Sequence, residues 1–229
     1  MAIAFTALAN MSTSTSNAES YNGTAGTPAA GDLLICGVHA AATVAAGTMT
    51  GTWTWNQLKR FTYNGGLDSM YVFWAYASAA TSTTPTFACV GDAASCCEIY
   101  CLRVTGGMGG TAPCIRQLKT ATATSTNAAV PMFGAILTGS GVLSFVAENG
   151  SSPAIFTAPS GWTTVVEAGT GTAPRHAFAE SHRVSGEVGS TVTWGNGSVV
   201  WGAIAMEFHV LGAMQRQPGG GASSSPMSY

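Results

Sequence analysis

Charge is what this sequence has least of. Asp, Glu, Lys and Arg make up 8% of its 229 residues, against about 25% in an ordinary soluble domain, so Ser, Thr, Asn, Gly and Ala must supply most of the solvent-facing surface. The eight basic residues are scattered along the chain and the net charge is −2. That leaves no electrostatic footprint for a phosphate backbone, and nucleic acid is set aside as a partner. No apolar run approaches the ~18 residues a membrane span needs, and Met1, Ala2, Ile3, Ala4 and Phe5 lack the basic stretch of a targeting signal. The expectation is a protein made in a cytosol, without a membrane partner.

Catalytic signatures are missing as well. There is no Gly-x-Ser-x-Gly elbow, no Gly-x-x-x-x-Gly-Lys loop and no His-Glu-x-x-His pair. Gly106, Gly107, Gly109 and Gly110 are followed by Thr, Ala and Pro, with no basic residue and no helix after them, so they read as a linker rather than a phosphate cradle. His176 and His182 flank Glu180 on one strand face but stand about 20 Å apart at the usual rise. No catalytic, cofactor-binding or metal-binding residue is expected, and the chain reads as a non-enzyme.

Six cysteines are present, five of them in the first half: Cys36, Cys89, Cys96, Cys97 and Cys101, with Cys114 just beyond. Adjacent Cys96 and Cys97 point to opposite faces of a strand, and Cys97 and Cys101 share a face about 13 Å apart, too far for one metal. They are expected to be reduced thiols filling core space.

Long 3.6-period stripes with caps are also lacking, whereas short β-rich runs bounded by Gly, Pro, Asn and Ser recur every 8 to 12 residues. The fold class expected is all-β and antiparallel. Within it, residues 70–106 recur at 175–212: Tyr76 falls on His182, Gly91 on Gly197, Leu102 on Phe208, Val104 on Val210 and Gly106 on Gly212, each at a shift of 106. The run beginning Gly31, Asp32, Leu33, Leu34 and Ile35 is answered by Gly141, Val142, Leu143, Ser144 and Phe145 at a shift of 110. A duplicated unit explains this. The expected layout is two tandem antiparallel β-sandwich or jelly-roll-like domains, 1–106 and 120–212, joined by a Gly/Pro connector at 107–119 and followed by an extended arm at 213–229.

Trp55 and Trp162 recur between the halves and read as core. Trp53, Trp74, Trp194 and Trp201 have no aromatic counterpart and are the candidates to line a glycan or partner groove. The Asn-Gly-Ser/Thr triplets at Asn22, Asn149 and Asn196 read as turns rather than glycosylation sites.

The run from Gly31 to Ile35, a Trp-bearing strand, then Tyr76, Ala77, Ser78 and Ala79, then Pro85, Thr86 and Phe87, and finally Ile99, Leu102, Arg103, Val104 and Gly106, resembles the β-sandwich modules of tailed-phage virion proteins. Those modules serve as head decoration or cement proteins and as pieces of tail fibres. The second half departs from the pattern where Val142 replaces Asp32 and Thr191 replaces Pro85. The resemblance implies a virion structural protein, assembled in the host cytoplasm, that contacts the major capsid protein or other virion subunits and self-associates. Its alternative is a tail-fibre or baseplate module binding a host receptor or glycan. No cofactor is implied. The arm at 213–229 has little to bury in itself, so ordering it calls for a neighbour. Gln215, Arg216, Met227 and Tyr229 are the residues expected to touch that partner.

Overall fold

The computed structural model describes residues 3–41, 46–91, 93–106, 108–109, 112–131, 134–149, 161–169, 176–184 and 191–209. The first half contributes β1 (Ala4–Ala7), β2 (Ser12–Ser14), β3 (Ser20–Asn22), β4 (Leu33–Ala40), β5 (Ala46–Thr50), β6 (Asn56–Tyr63), β7 (Asp68–Tyr76), β8 (Thr86–Val90) and β9 (Cys97–Thr105). A small hairpin, β10 (Met108–Gly109) and β11 (Ala112–Pro113), leads to β12 (Ile115–Pro131), β13 (Gly141–Asn149), β14 (Thr163–Gly169), β15 (His176–Val184) and β16 (Thr191–Phe208). Among the described residues the only helical piece is a 3-10 turn, Asn64–Gly66, at the β6–β7 hairpin. There Asn64, Gly65 and Gly66 all take positive φ, as the sequence Asn-Gly-Gly predicts. The fold is all-β and antiparallel.

Two large sheets share one plan. The first runs β1-β9-β4-β7-β6, with β2 also paired to β9, and the second runs β12-β16-β13-β15-β14. In both, the first strand of the half lies beside the last, and β4 or β13 lies between that last strand and β7 or β15. A three-stranded sheet, β3-β8-β5, covers the outer face of the first. In the second half the corresponding pieces are fused. β12 and β16 form one long ribbon with a register break between Ser125 and Asn127, and beyond that break Ala128 and Val130 join the core on the outer face of their own sheet. Such a break bends the strand and lets one ribbon serve two layers.

The registers refine the repeat. Leu33 pairs with Tyr76 and Leu143 with His182, as the shifts of 110 and 106 require. But Leu33 also pairs with Val104, while Leu143 pairs with Met206 rather than with a residue four further on. The last strand therefore matches at a shift of 102, not 106. Because the slip is an even number, every side chain keeps its face.

Three cores result, and the largest lies between the two halves. Leu33, Ile35, Met70, Val72, Tyr100, Leu102 and Val104 of the first sheet pack against Leu143, Phe145, Phe178, Ile204, Met206 and Phe208 of the second. Each such side chain contributes about 1.5–3 kcal/mol by burial. The second core fills the space under the three-stranded sheet with Leu34, Cys36, Val38, Tyr71, Phe73 and Phe87. β4 is buried along its whole length because its alternate residues serve these two cores.

Close approach of the two halves depends on glycine. A Cβ on Gly37 would stand 2.6 Å from the Phe145 ring, and one on Gly202 would stand 2.7 Å from the Tyr63 ring. Each sheet thus offers a gap that receives an aromatic ring from the other.

Two readings that the local sequence invites do not hold. Trp53, Trp55 and Leu58 alternate as a continuing strand would, but β6 starts at Asn56, and Trp53 and Trp55 precede it in bends and irregular backbone. The Ser- and Thr-rich residues that follow β1 as far as Thr15 suit a loop, but they contain β2. Residues 115–119 of the proposed connector lie in β12.

Candidate functional site

The predicted partner contacts Gln215, Arg216, Met227 and Tyr229 lie outside the described residues, as do the side chain of Trp194 and those of His176 and Glu180. Of the other tryptophans, Trp201 is core: it is 3% exposed and its indole N–H donates to Ser125 Oγ at 3.0 Å. Trp53 and Trp74 come together. They line a cleft of about 340 Å³ with Tyr76, Thr52, Thr54, Asn56 and Ser78. Trp74 and Tyr76 lie at the end of β7, where β6 stops: Asn56, the first residue of β6, pairs with Trp74, and no β6 residue pairs with Tyr76. Tyr76 is 39% exposed. The lining carries no charged residue.

A second constellation is sealed inside the molecule. His39 on β4 is fully buried, and its Nδ1 donates to Glu98 Oε2 of β9 at 2.8 Å. On the other side of the ring, Nε2 lies 3.0 Å from the Tyr63 hydroxyl and 3.6 Å from Asp68 Oδ1. Asp68 Oδ2 accepts from Asn64 Nδ2 at 2.7 Å and from Asn149 Nδ2, on β13 of the other half, at 3.0 Å. The Phe178 ring stacks on the imidazole at 6.4 Å.

Burial pushes the His39 imidazolium down, but its hydrogen bonds to Asp68 and Glu98 outweigh that and raise its pKa to about 9. Burial likewise pushes Asp68 up, and the bonds from His39, Asn149 and Asn64 overcome it, holding the carboxyl at about 2. Tyr63 is raised by burial and then by the neighbouring carboxylates, so it stays a phenol. Cys96 completes the group: its Sγ, a His39 ring nitrogen and a Glu98 oxygen all lie within 4.8 Å of one another. Cys97 points the opposite way into the second core, as the strand parity predicts.

No sequence motif announces this cluster, because its members are spread from residue 39 to residue 149. One signal was available. His39, Asp68 and Glu98 occupy inward-facing positions on strands that are otherwise apolar, where an unpartnered polar group would be costly.

A third polar group centres on Glu207, which accepts from Arg116 Nη1, Gln117 Nε2, Ser140 Oγ and, at 2.8 Å, the Leu137 N–H. Burial raises its pKa, but those donors win and hold it below the usual carboxylate range. It anchors the 134–140 loop to β12 and β16. Beside it lies a cleft of about 500 Å³ lined by Pro113, Cys114, Ile115, Leu137 and His209. No disulfide joins any of the six cysteines, and of the six only Cys114 is not buried.

No protein-family model matches this chain, and no curated protein or solved structure matches it either.

Proposed function

We propose that this chain is a non-enzymatic structural subunit of a tailed-phage virion, a decoration or cement protein bound to the outer surface of the head. The observation that supports it most directly is the edge formed by β12. Among the described residues β12 pairs only with β16, and from Thr120 to Ser125, between its two register breaks, it carries no charged side chain. Thr122, Ala123 and Thr124 are exposed, and the ladder from Gln117 to Ser125 is free of bulges. Most sheet edges are guarded. Here β6 carries Lys59 and Arg60 and a bulge between Gln57 and Lys59, and β1 is only four residues long. An unguarded edge invites a strand from another chain, whether a capsid subunit or a second copy. The arm at 213–229 would add contacts through Gln215, Arg216, Met227 and Tyr229.

The test is cryo-electron microscopy of particles assembled with the wild-type chain and with Ala123→Lys or Thr124→Lys. The charged edge should lower occupancy on heads while the circular dichroism spectrum stays unchanged. Equal occupancy would remove the edge from the argument, and failure of the wild-type chain to decorate heads would remove the reading itself.

A specific observation favours a second reading, in which the protein recognises a host-surface glycan. The Trp53, Trp74 and Tyr76 cleft offers aromatic faces ringed by hydroxyl and amide groups, a lining suited to the apolar face of a neutral pyranose. Binding of purified host glycans, lost in Trp53→Ala, would move the proposal from the head to the tail.

A further inference from the structure

We infer that His39, Cys96 and Glu98 form a binding site for one zinc-type divalent cation, with Asp68 holding the imidazole from behind. The donors come from β4 (His39), from the residue just before β9 (Cys96) and from β9 (Glu98), and all are buried. Ligands of a tetrahedral ion at about 2.0–2.3 Å stand roughly 3–4 Å apart. Side-chain rotation alone therefore closes a triad whose atoms already lie within 4.8 Å of one another.

The surroundings supply what such a site requires beyond its ligands. Metal-bound histidine usually gives its second ring N–H to a carboxylate. If Nδ1 faces the ion, Nε2 faces Asp68 Oδ1 and the Tyr63 hydroxyl, and Asp68 is in turn fixed by Asn64 and Asn149. Glu98 has an oxygen to spare: Oε2 takes the His39 hydrogen bond while Oε1 is buried with no hydrogen-bond partner. Both oxygens on the ion would fill a fourth position.

A thiolate with an imidazole selects a borderline-soft ion such as Zn²⁺ over Mg²⁺ or Ca²⁺. Since the ligands are sealed under Tyr63 and Phe178, the ion must enter as the sheets close.

The full chain should therefore be produced in zinc- or cobalt-supplemented medium and passed over chelating resin before its metal is measured by elemental mass spectrometry. About one ion per chain is expected, and the cobalt form should show a thiolate-to-cobalt charge-transfer band. Cys96→Ser should abolish the band and cut retained metal at least tenfold. Cys97→Ser, on the opposite face, should change neither. Glu98→Gln provides a second variant should Cys96→Ser fail to fold, and it too should lose metal. A wild-type chain that emerges metal-free, or metal retained equally by whichever of the Cys96 and Glu98 variants folds, overturns the assignment.

Discussion

Asn149 donates a hydrogen bond at 3.0 Å to Asp68, a residue of the opposite half of the chain. By the pairing of Leu33 and Leu143, Asn149 stands in β13 where His39 stands in β4. Two residues at matching positions of the two sheets thus converge on one carboxylate. One brings a charge and the other an amide.

That convergence should be measurable as coupling. Asn149→Ala removes a hydrogen bond to a charged, buried acceptor and should cost about 1.5–3 kcal/mol in urea unfolding. In a double-mutant cycle with Asp68→Asn the interaction energy should exceed about 0.5 kcal/mol. Additive losses would mean that the halves are not tied through this bond.

Glycine packing gives a second prediction. Gly37→Ala and Gly202→Ala place a methyl group against the Phe145 and Tyr63 rings, so each should destabilise by about 1–3 kcal/mol through overpacking. Gly65→Ala meets nothing and is strained only by its positive φ, so its cost should stay near 1 kcal/mol. If Gly37→Ala is neutral, the two sheets are not in the close contact described.

The pH dependence should show Glu207. Its folded pKa is depressed, so the stability it contributes is full above the ordinary glutamate pKa of about 4.3 and is lost as pH falls through the lower folded value. Glu207→Gln should therefore be less stable than wild type at pH 7, with the gap narrowing below about pH 4. A gap that stays constant down to pH 2 would show that hydrogen-bond geometry, not ionisation, carries the effect.

Thiol reactivity should follow burial. In the native state Cys114 should react with iodoacetamide first. Cys36 and Cys97 should be slowest, since burial raises both thiols far above their usual pKa. After denaturation without reductant, mass spectrometry should find six alkylated sites. A protected pair would point to a disulfide.

The sequence carries strand identity well and sheet pairing poorly. The short antiparallel strands, the Asn-Gly-Gly turn and the opposed faces of Cys96 and Cys97 were all legible, because period-2 parity and turn chemistry are local. The face-to-face packing of the halves was not, because an inward residue such as Phe145 looks the same whether its partner belongs to its own half or to the other. Nor does parity expose a four-residue slip, so the match of Val104 with Val210 looked sound although the ladder pairs Leu143 with Met206. The His39 cluster stayed hidden for a different reason. Its ligand-type residues come from separate strands, and spacing rules built for Cys–Cys pairs do not reach them.

The shared strand order also bears on synthesis. In each half the last strand made fills a gap, β9 between β1 and β4, and β16 between β12 and β13. On the ribosome β4 must wait beside β7 with one edge bare until residues 97–105 have emerged. The nascent first half therefore exposes an apolar strand edge for much of its translation, and its folding rests on contacts distant in sequence, which form slowly. Trigger-factor-like chaperones that shield such edges should raise the yield of soluble protein, and a circular permutant that begins at β9 should lessen that dependence.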